Sequence, residues 1–209
     1  MIQTMLIIDD FYANPEEMRE QAFNLTFPPT HTDDQFGGRT SVEVMLPKDS
    51  DEGFSQILRE PVRGKGDIAH GHCRFSISTS VRRGEVHVDL GCAWSGVICL
   101  TLDEHCQGGT EFFRHKRYGT DRVPLSDEEA KQVYSMDSID EVYEKIIRQE
   151  GKDQSLWECI QILPLKFNRA VIFRPWLWHA GGVDFRDTIE NGRLTQILFF
   201  VSAKIQTQS

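Results

Sequence analysis

With 32 acidic against 23 basic side chains among 209 residues, a formal net charge of −9 at pH 7, the chain lacks the basic surface that neutralises phosphate, and no nucleic-acid partner is expected. A composition of 39% hydrophobic and 26% charged residues suffices for one substantial core, so residues 1–209 are expected to form a single domain. No apolar segment approaches the roughly 20 residues that span a bilayer, and the N-terminus has neither a basic leader nor a small-residue cleavage site; a cytoplasmic protein without a membrane partner is expected.

The first element with clear boundaries is a helix over about 15–24. Asn14 stands at the N-cap, Pro15 at the first helical position and Glu16 and Glu17 in the first turn, where a carboxylate meets the positive end of the helix dipole. Phe27-Pro28-Pro29 stops it. Apolar and β-branched residues then alternate with polar ones between glycine-rich breaks over 39–46, 74–80 and 85–90, the pattern of half-buried antiparallel strands. Further strands are expected at 96–102, 110–113, 170–173 and 194–202. Between the fifth and the later ones lies a segment of different character, about 114–157. Ser126 with Glu129 and Ser138 with Glu141 have capping-box spacing, and Ile139, Val142, Tyr143, Ile146 and Ile147 recur at helical intervals before Gly151, which is placed as a C-terminal cap. Two inserted helices are expected there. The basic runs Arg82-Arg83 and Arg114 to Arg117 read as solvated surface rather than an anion patch.

Five cysteines without a C-x-x-C pair argue against a disulfide framework or a structural zinc site. Cys92, Cys99 and Cys106 are seven residues apart, a spacing that strand and turn give no meaning, and reduced, mostly buried thiols are expected.

The chemistry concentrates elsewhere. In Glu85-Val86-His87-Val88-Asp89 the histidine and the aspartate are two apart, so on a strand they share a face and can grip one cation. A second histidine, His179, follows Trp176-Leu177-Trp178 and precedes Ala180-Gly181-Gly182. Two histidines and one carboxylate make the facial triad of non-haem iron sites, which leaves coordination positions open. Arg193 and Thr195 lie two apart on the last strand and offer a forked cation and a hydroxyl to a carboxylate. His70-Gly71-His72 is a rival pair with strand spacing, but it lacks a matching carboxylate and reads as turn and strand-end histidines.

Taken in order, His87-x-Asp89, His179 and Arg193-x-Thr195 resemble the iron(II)- and 2-oxoglutarate-dependent dioxygenase superfamily, in particular its prolyl-hydroxylase-like members. Trp94 to Leu100 and Gly108 to Phe113 look like the barrel strands and glycine turn of that family, and Ile8-Asp9-Asp10-Phe11 like its entry. The resemblance covers most of residues 6–202. It implies a mainly β fold with flanking helices, a double-stranded β-helix or cupin-like jelly-roll with the helical segment inserted. His87, Asp89 and His179 would then be the catalytic iron ligands, Arg193 and Thr195 would bind the C5 carboxylate of 2-oxoglutarate, and with dioxygen the protein would hydroxylate an unactivated C–H bond of a small-molecule substrate. Related halogenases replace the carboxylate ligand with a small residue, so Asp89 favours hydroxylation. Arg39, Arg74, Trp94 and the insertion, acting as a lid, are expected to meet substrate. Cys99 departs from the family, which often has a tyrosine there. Two alternatives stand beside this reading: a non-catalytic jelly-roll that binds a ligand, and a cupin-like metalloenzyme that does not use 2-oxoglutarate.

Overall fold

The computed structural model describes residues 2–29, 38–47, 49–80 and 85–203, and Arg82-Arg83 lie outside them. Alternating and continuous apolar runs become strands throughout: β1 (Met5–Ile8), β2 (Arg39–Val44), β3 (Val62–Gly64), β4 (His72–Ser76), β5 (Trp94–Cys99), β6 (Gly109–His115), β7 (Trp157–Pro164), β8 (Ala170–Phe173), β9 (His179–Ala180) and β10 (Arg193–Ser202). Helices α1 (Pro15–Phe23) and α2 (Ser50–Leu58) precede the central strands. All strand pairings are antiparallel, in one sheet ordered β1-β8-β5-β10-β4-β2, with β3 also on β10, and a second ordered β7-β6-β9.

The two sheets face each other across Phe112, Leu163, Val171 and Phe173, with the Phe112 and Phe173 rings edge to face at 5.2 Å. The large sheet is covered behind by α2, whose Phe54 and Leu58 pack on Trp94, Ile98, Ile172, Leu198 and Phe200. Each of these buried side chains contributes about 1.5–3 kcal/mol of transfer free energy. The small sheet is covered by the insertion. Strand alternation turns the consecutive phenylalanines of β6 to opposite sides, Phe112 inward and Phe113 toward the helices, and a bulge at Ile160 of β7 shifts the partners opposite them from Gln161 to Cys159. No helix among the described residues is long and apolar enough to cross a membrane.

The serine half of both expected capping boxes forms, the Ser126 hydroxyl accepting from the Glu129 N–H and that of Ser138 from the Glu141 N–H, each at 3.2 Å, while the two carboxylates accept from the N–H one residue before the serine, of Leu125 and Asp137, at 2.8 Å. These caps open α3 (Asp127–Glu129) and α4 (Ile139–Val142), each of which widens into a π-helix, over Ala130–Tyr134 and Tyr143–Glu150. Gly151 does not take the left-handed conformation of a terminal cap, with φ of −58°. Its lack of a side chain serves a close approach instead, since a Cβ there would lie 2.6 Å from the Val86 carbonyl oxygen and 2.7 Å from that of Ile147.

Other expectations need correction. Residues 85–90 do not form a strand: Val86 is at a bend and Leu90 in a turn, and the segment makes one isolated bridge, His87 to His179. His115 is not part of a solvated basic run: it is fully buried, its Nε2 2.7 Å from Glu150. Helix α2 has one turn's worth of apolar spacing, Phe54, Ile57 and Leu58, too little to stand out as periodic. Strand β7 is an edge strand with only Trp157 and Leu163 buried, so it carries no alternation to read.

Candidate metal centre

The segment 85–89 is fixed by backbone bonds at Val86, His87 and Asp89. The Val86 N–H donates to the Gly151 carbonyl at 3.1 Å, His87 and His179 exchange two backbone bonds at 2.9 and 3.0 Å, and the Asp89 N–H donates to Pro175 at 3.1 Å. Val86 and Val88 turn into the core beneath the helices, and the period of two therefore turns His87 and Asp89 the other way, into the space between the sheets. His179 arrives on β9, which β6 holds through Phe112 and Glu111.

His87 Nδ1 lies 2.6 Å from the Glu85 carbonyl oxygen and His179 Nδ1 lies 2.8 Å from that of Leu177. A carbonyl only accepts, so each Nδ1 carries the proton and each Nε2 presents its lone pair, the arrangement that orients a metal-ligating histidine. Those lone pairs converge on Asp89: His87 Nε2 is 3.8 Å from Oδ1 and His179 Nε2 is 3.3 Å from Oδ2. One ligand atom from each of the three residues lies within 4.8 Å of the others. Donors about 2.1 Å from one ion at right angles would sit about 3 Å apart, so small side-chain rotations close the set on a cation.

Burial first, then the neighbouring His179, pushes His87 down to about 4. Burial would raise the Asp89 carboxyl, but contacts with His179 and His87 outweigh it and hold it at about 2. At neutral pH His87 is uncharged and Asp89 ionised, the forms that bind a metal.

These three residues share a cavity of about 190 Å³ with Arg74 and Ser76 of β4, Ser95 and Val97 of β5, Thr110 of β6, Asp184, and Arg193 and Thr195 of β10. Arg193 stands opposite Ser76 and Thr195 opposite Arg74 in the sheet, so the two strands present a square of polar side chains to the cavity. Arg193 is only 8% exposed, and its guanidinium makes no hydrogen bond or ion pair with a described residue. Burial lowers its pKa, with the Asp184 carboxylate acting against that. A buried cation aimed into a cavity is a receptor for an anion. Asp184 accepts a short hydrogen bond from the Ser76 hydroxyl, and burial raises its pKa against the pull of Ser76, Arg193 and Arg74.

Of the expected substrate contacts, Arg74 lines the cavity and two residues do not. Trp94 is fully buried on the opposite face of β5, its indole N–H bonded to Glu60 and the Arg174 guanidinium 3.8 Å above its ring. It is one residue out of phase with Ser95 and Val97, and the large sheet buries both faces, so its size signalled core rather than pocket. Arg39 is exposed, 5.7 Å over the Phe75 ring. None of the described residues 114–157 is in the cavity wall; the insertion packs behind His87, on Val86 and Val88. His70 and His72 are engaged elsewhere, by the Phe199 N–H at 3.0 Å and the Ser41 carbonyl at 2.8 Å.

Ser76 and Asp184 were missed by sequence reasoning. Ser76 was legible, two residues beyond Arg74 on the same strand. Asp184 follows the glycine turn at Gly181-Gly182, where no periodicity assigns a direction.

Over residues 2–200 the sequence matches the model of a family described as a family of unknown function (DUF6445). No curated protein matches it. Among solved structures it is similar to EctD from S. alaskensis with bound Fe, at 11% identity and a TM-score of 0.48 over 95% of this chain and 73% of that one. It is also similar to HygX from Streptomyces hygroscopicus with nickel and 2-oxoglutarate bound, at 11% identity and a TM-score of 0.48 over 96% and 84%.

Proposed function

This chain belongs to the DUF6445 family, and we propose that it is a non-haem iron(II)- and 2-oxoglutarate-dependent oxygenase that hydroxylates a C–H bond of a small molecule. One observation carries the reading: two histidine Nε2 lone pairs and a carboxylate converge on one point of a cavity into which Arg193 also projects, buried and with no hydrogen bond or ion pair to a described residue. The facing antiparallel sheets, with the site between them, suit a double-stranded β-helix.

His87, Asp89 and His179 would hold the iron on one side and leave its other positions for cosubstrate and dioxygen. Bound there, iron and 2-oxoglutarate would supply the oxidising power, through oxidative decarboxylation of the cosubstrate. The chain's own work is placement. Arg193 and Thr195 would bind the distal carboxylate, and Phe173, Ile197 and Phe199, which also line the cavity, keep its wall apolar and limit water. Arg74, Ser76 and Asp184 are left to orient substrate.

The test is anaerobic titration with iron(II) and 2-oxoglutarate, following the weak visible charge-transfer band, on wild type and His179→Ala. A band in the wild type that is lost in the variant supports the reading. Folded, iron-loaded wild type without a band would overturn the 2-oxoglutarate assignment and leave a cupin-like metalloenzyme or a non-catalytic barrel.

A further inference from the structure

Behind the Arg193 side of the cavity lies a pair of groups that this reading does not use. Cys99 is the last residue of β5, paired with Thr195 in the sheet and almost fully buried. Cys106 closes the turn that follows and is half-buried. Their Sγ atoms are 3.8 Å apart, and both lie near the Thr101 carbonyl oxygen, at 3.6 and 3.4 Å. The arrangement is anchored on both sides. Cys99 exchanges backbone bonds with Arg169 and Asn168 at 2.9 Å each, and the Cys106 N–H is shared between Leu102 and Asp103 at 3.2 Å.

We infer that Cys99 and Cys106 are an oxidative modification site, a dithiol that a hydroperoxide converts to an intrachain disulfide. The sulfurs have to approach from 3.8 Å to a bond of about 2.05 Å, a movement within reach of side-chain rotation at Cys106. Contact with the Cys106 thiol is the largest influence lowering the Cys99 pKa, and the charge of Arg193 adds to it. The same contact, followed by burial, raises the Cys106 thiol, so Cys99 is the more acidic sulfur of the pair.

The chemistry balances in two steps. Cys106, the more accessible sulfur, attacks the O–O bond of hydrogen peroxide as its proton passes to the departing oxygen; one oxygen stays as the sulfenic acid and the other leaves as water carrying that proton. Cys99 then attacks the sulfenic sulfur, forming the S–S bond and expelling the hydroxyl with its own proton as a second water. Two thiols are oxidised and one peroxide is reduced. The other cysteines supply internal controls. Cys92 and Cys159 have their sulfurs near backbone carbonyls, of Leu90 and Gln161, and Cys73 is buried against Met45.

The experiment treats reduced native protein with hydrogen peroxide, blocks remaining thiols with N-ethylmaleimide, and maps the unreduced protein by mass spectrometry. Cleavage after Glu104, which lies between the two cysteines, separates an intrachain bridge into two linked peptides. A Cys92→Ser variant removes the other cysteine of the upstream peptide. We expect a product lacking two hydrogens, with Cys99 linked to Cys106, in both wild type and Cys92→Ser, and reversal by dithiothreitol. Oxygen added at Cys106 without linkage, or a mixture of pairings including Cys92 or Cys159, would overturn the inference.

Discussion

Replacing Arg193 by methionine is expected to make the protein more stable while it weakens the cavity's hold on 2-oxoglutarate. The guanidinium is 8% exposed and no described residue compensates it by hydrogen bond or ion pair. Folding therefore removes its hydration without a full return. Replacing a buried ion by a hydrophobe of similar volume stabilises by about 1–4 kcal/mol. Part of that is offset because Asp184, whose ionised form Arg193 favours, loses a facing cation, so a net gain of about 1–2 kcal/mol is expected. For a chain of this size that raises Tm by roughly 2–8 °C. Calorimetry without ligands measures the gain, and the KM for 2-oxoglutarate, expected to rise at least about tenfold for one lost charge-assisted contact, measures the cost. A fall in Tm would refute the reasoning, because it would mean that Arg193 is held by the fold and not by a ligand.

Gly151→Ala puts a methyl 2.6 Å from the Val86 carbonyl oxygen, next to His87; anaerobic metal titration should show affinity weakened about tenfold, the effect of disturbing a ligand's supporting contacts, and unchanged affinity would reduce the insertion to a scaffold. Trp94→Phe should destabilise by about 1–3 kcal/mol through lost packing and the lost indole bond to Glu60, seen by denaturant melts, and leave the 2-oxoglutarate KM alone; a changed KM would return Trp94 to the pocket. Asp9, bonded by Arg169 and Lys166, has its pKa held well below the usual carboxylate range. A depressed carboxylate pKa stabilises above its unfolded value near 4 and loses that contribution as pH falls toward the folded value. Wild type should therefore melt above Asp9→Asn at pH 7, with the gap narrowing below about pH 4; a gap constant with pH would assign the effect to shape and not charge.

Much of this molecule is written in short-range pattern. Ser126 and Ser138 cap their helices as spaced, β8 occupies 170–173 as its apolar run indicates, and His87 with Asp89, like Arg193 with Thr195, share a face because residues two apart on an extended chain must. Local periodicity and capping need only neighbours along the chain, so the sequence by itself determined them. What it did not determine depends on partners distant in sequence. That His179 meets His87 is decided by an isolated bridge across 92 residues of chain. Where both faces of a sheet are covered, as on β5 with five of six residues buried, hydrophobicity no longer says which face is the cavity, and Trp94 reads the same as a pocket residue. The insertion reads as helical in either place, and its packing on Val86 and Val88 together with the Gly151 contact with Val86 puts it behind the metal ligands. Cys99 and Cys106 share a sequence spacing with Cys92, but only the turn after β5 folds two of the three sulfurs together, because that contact is set by backbone direction and not by count.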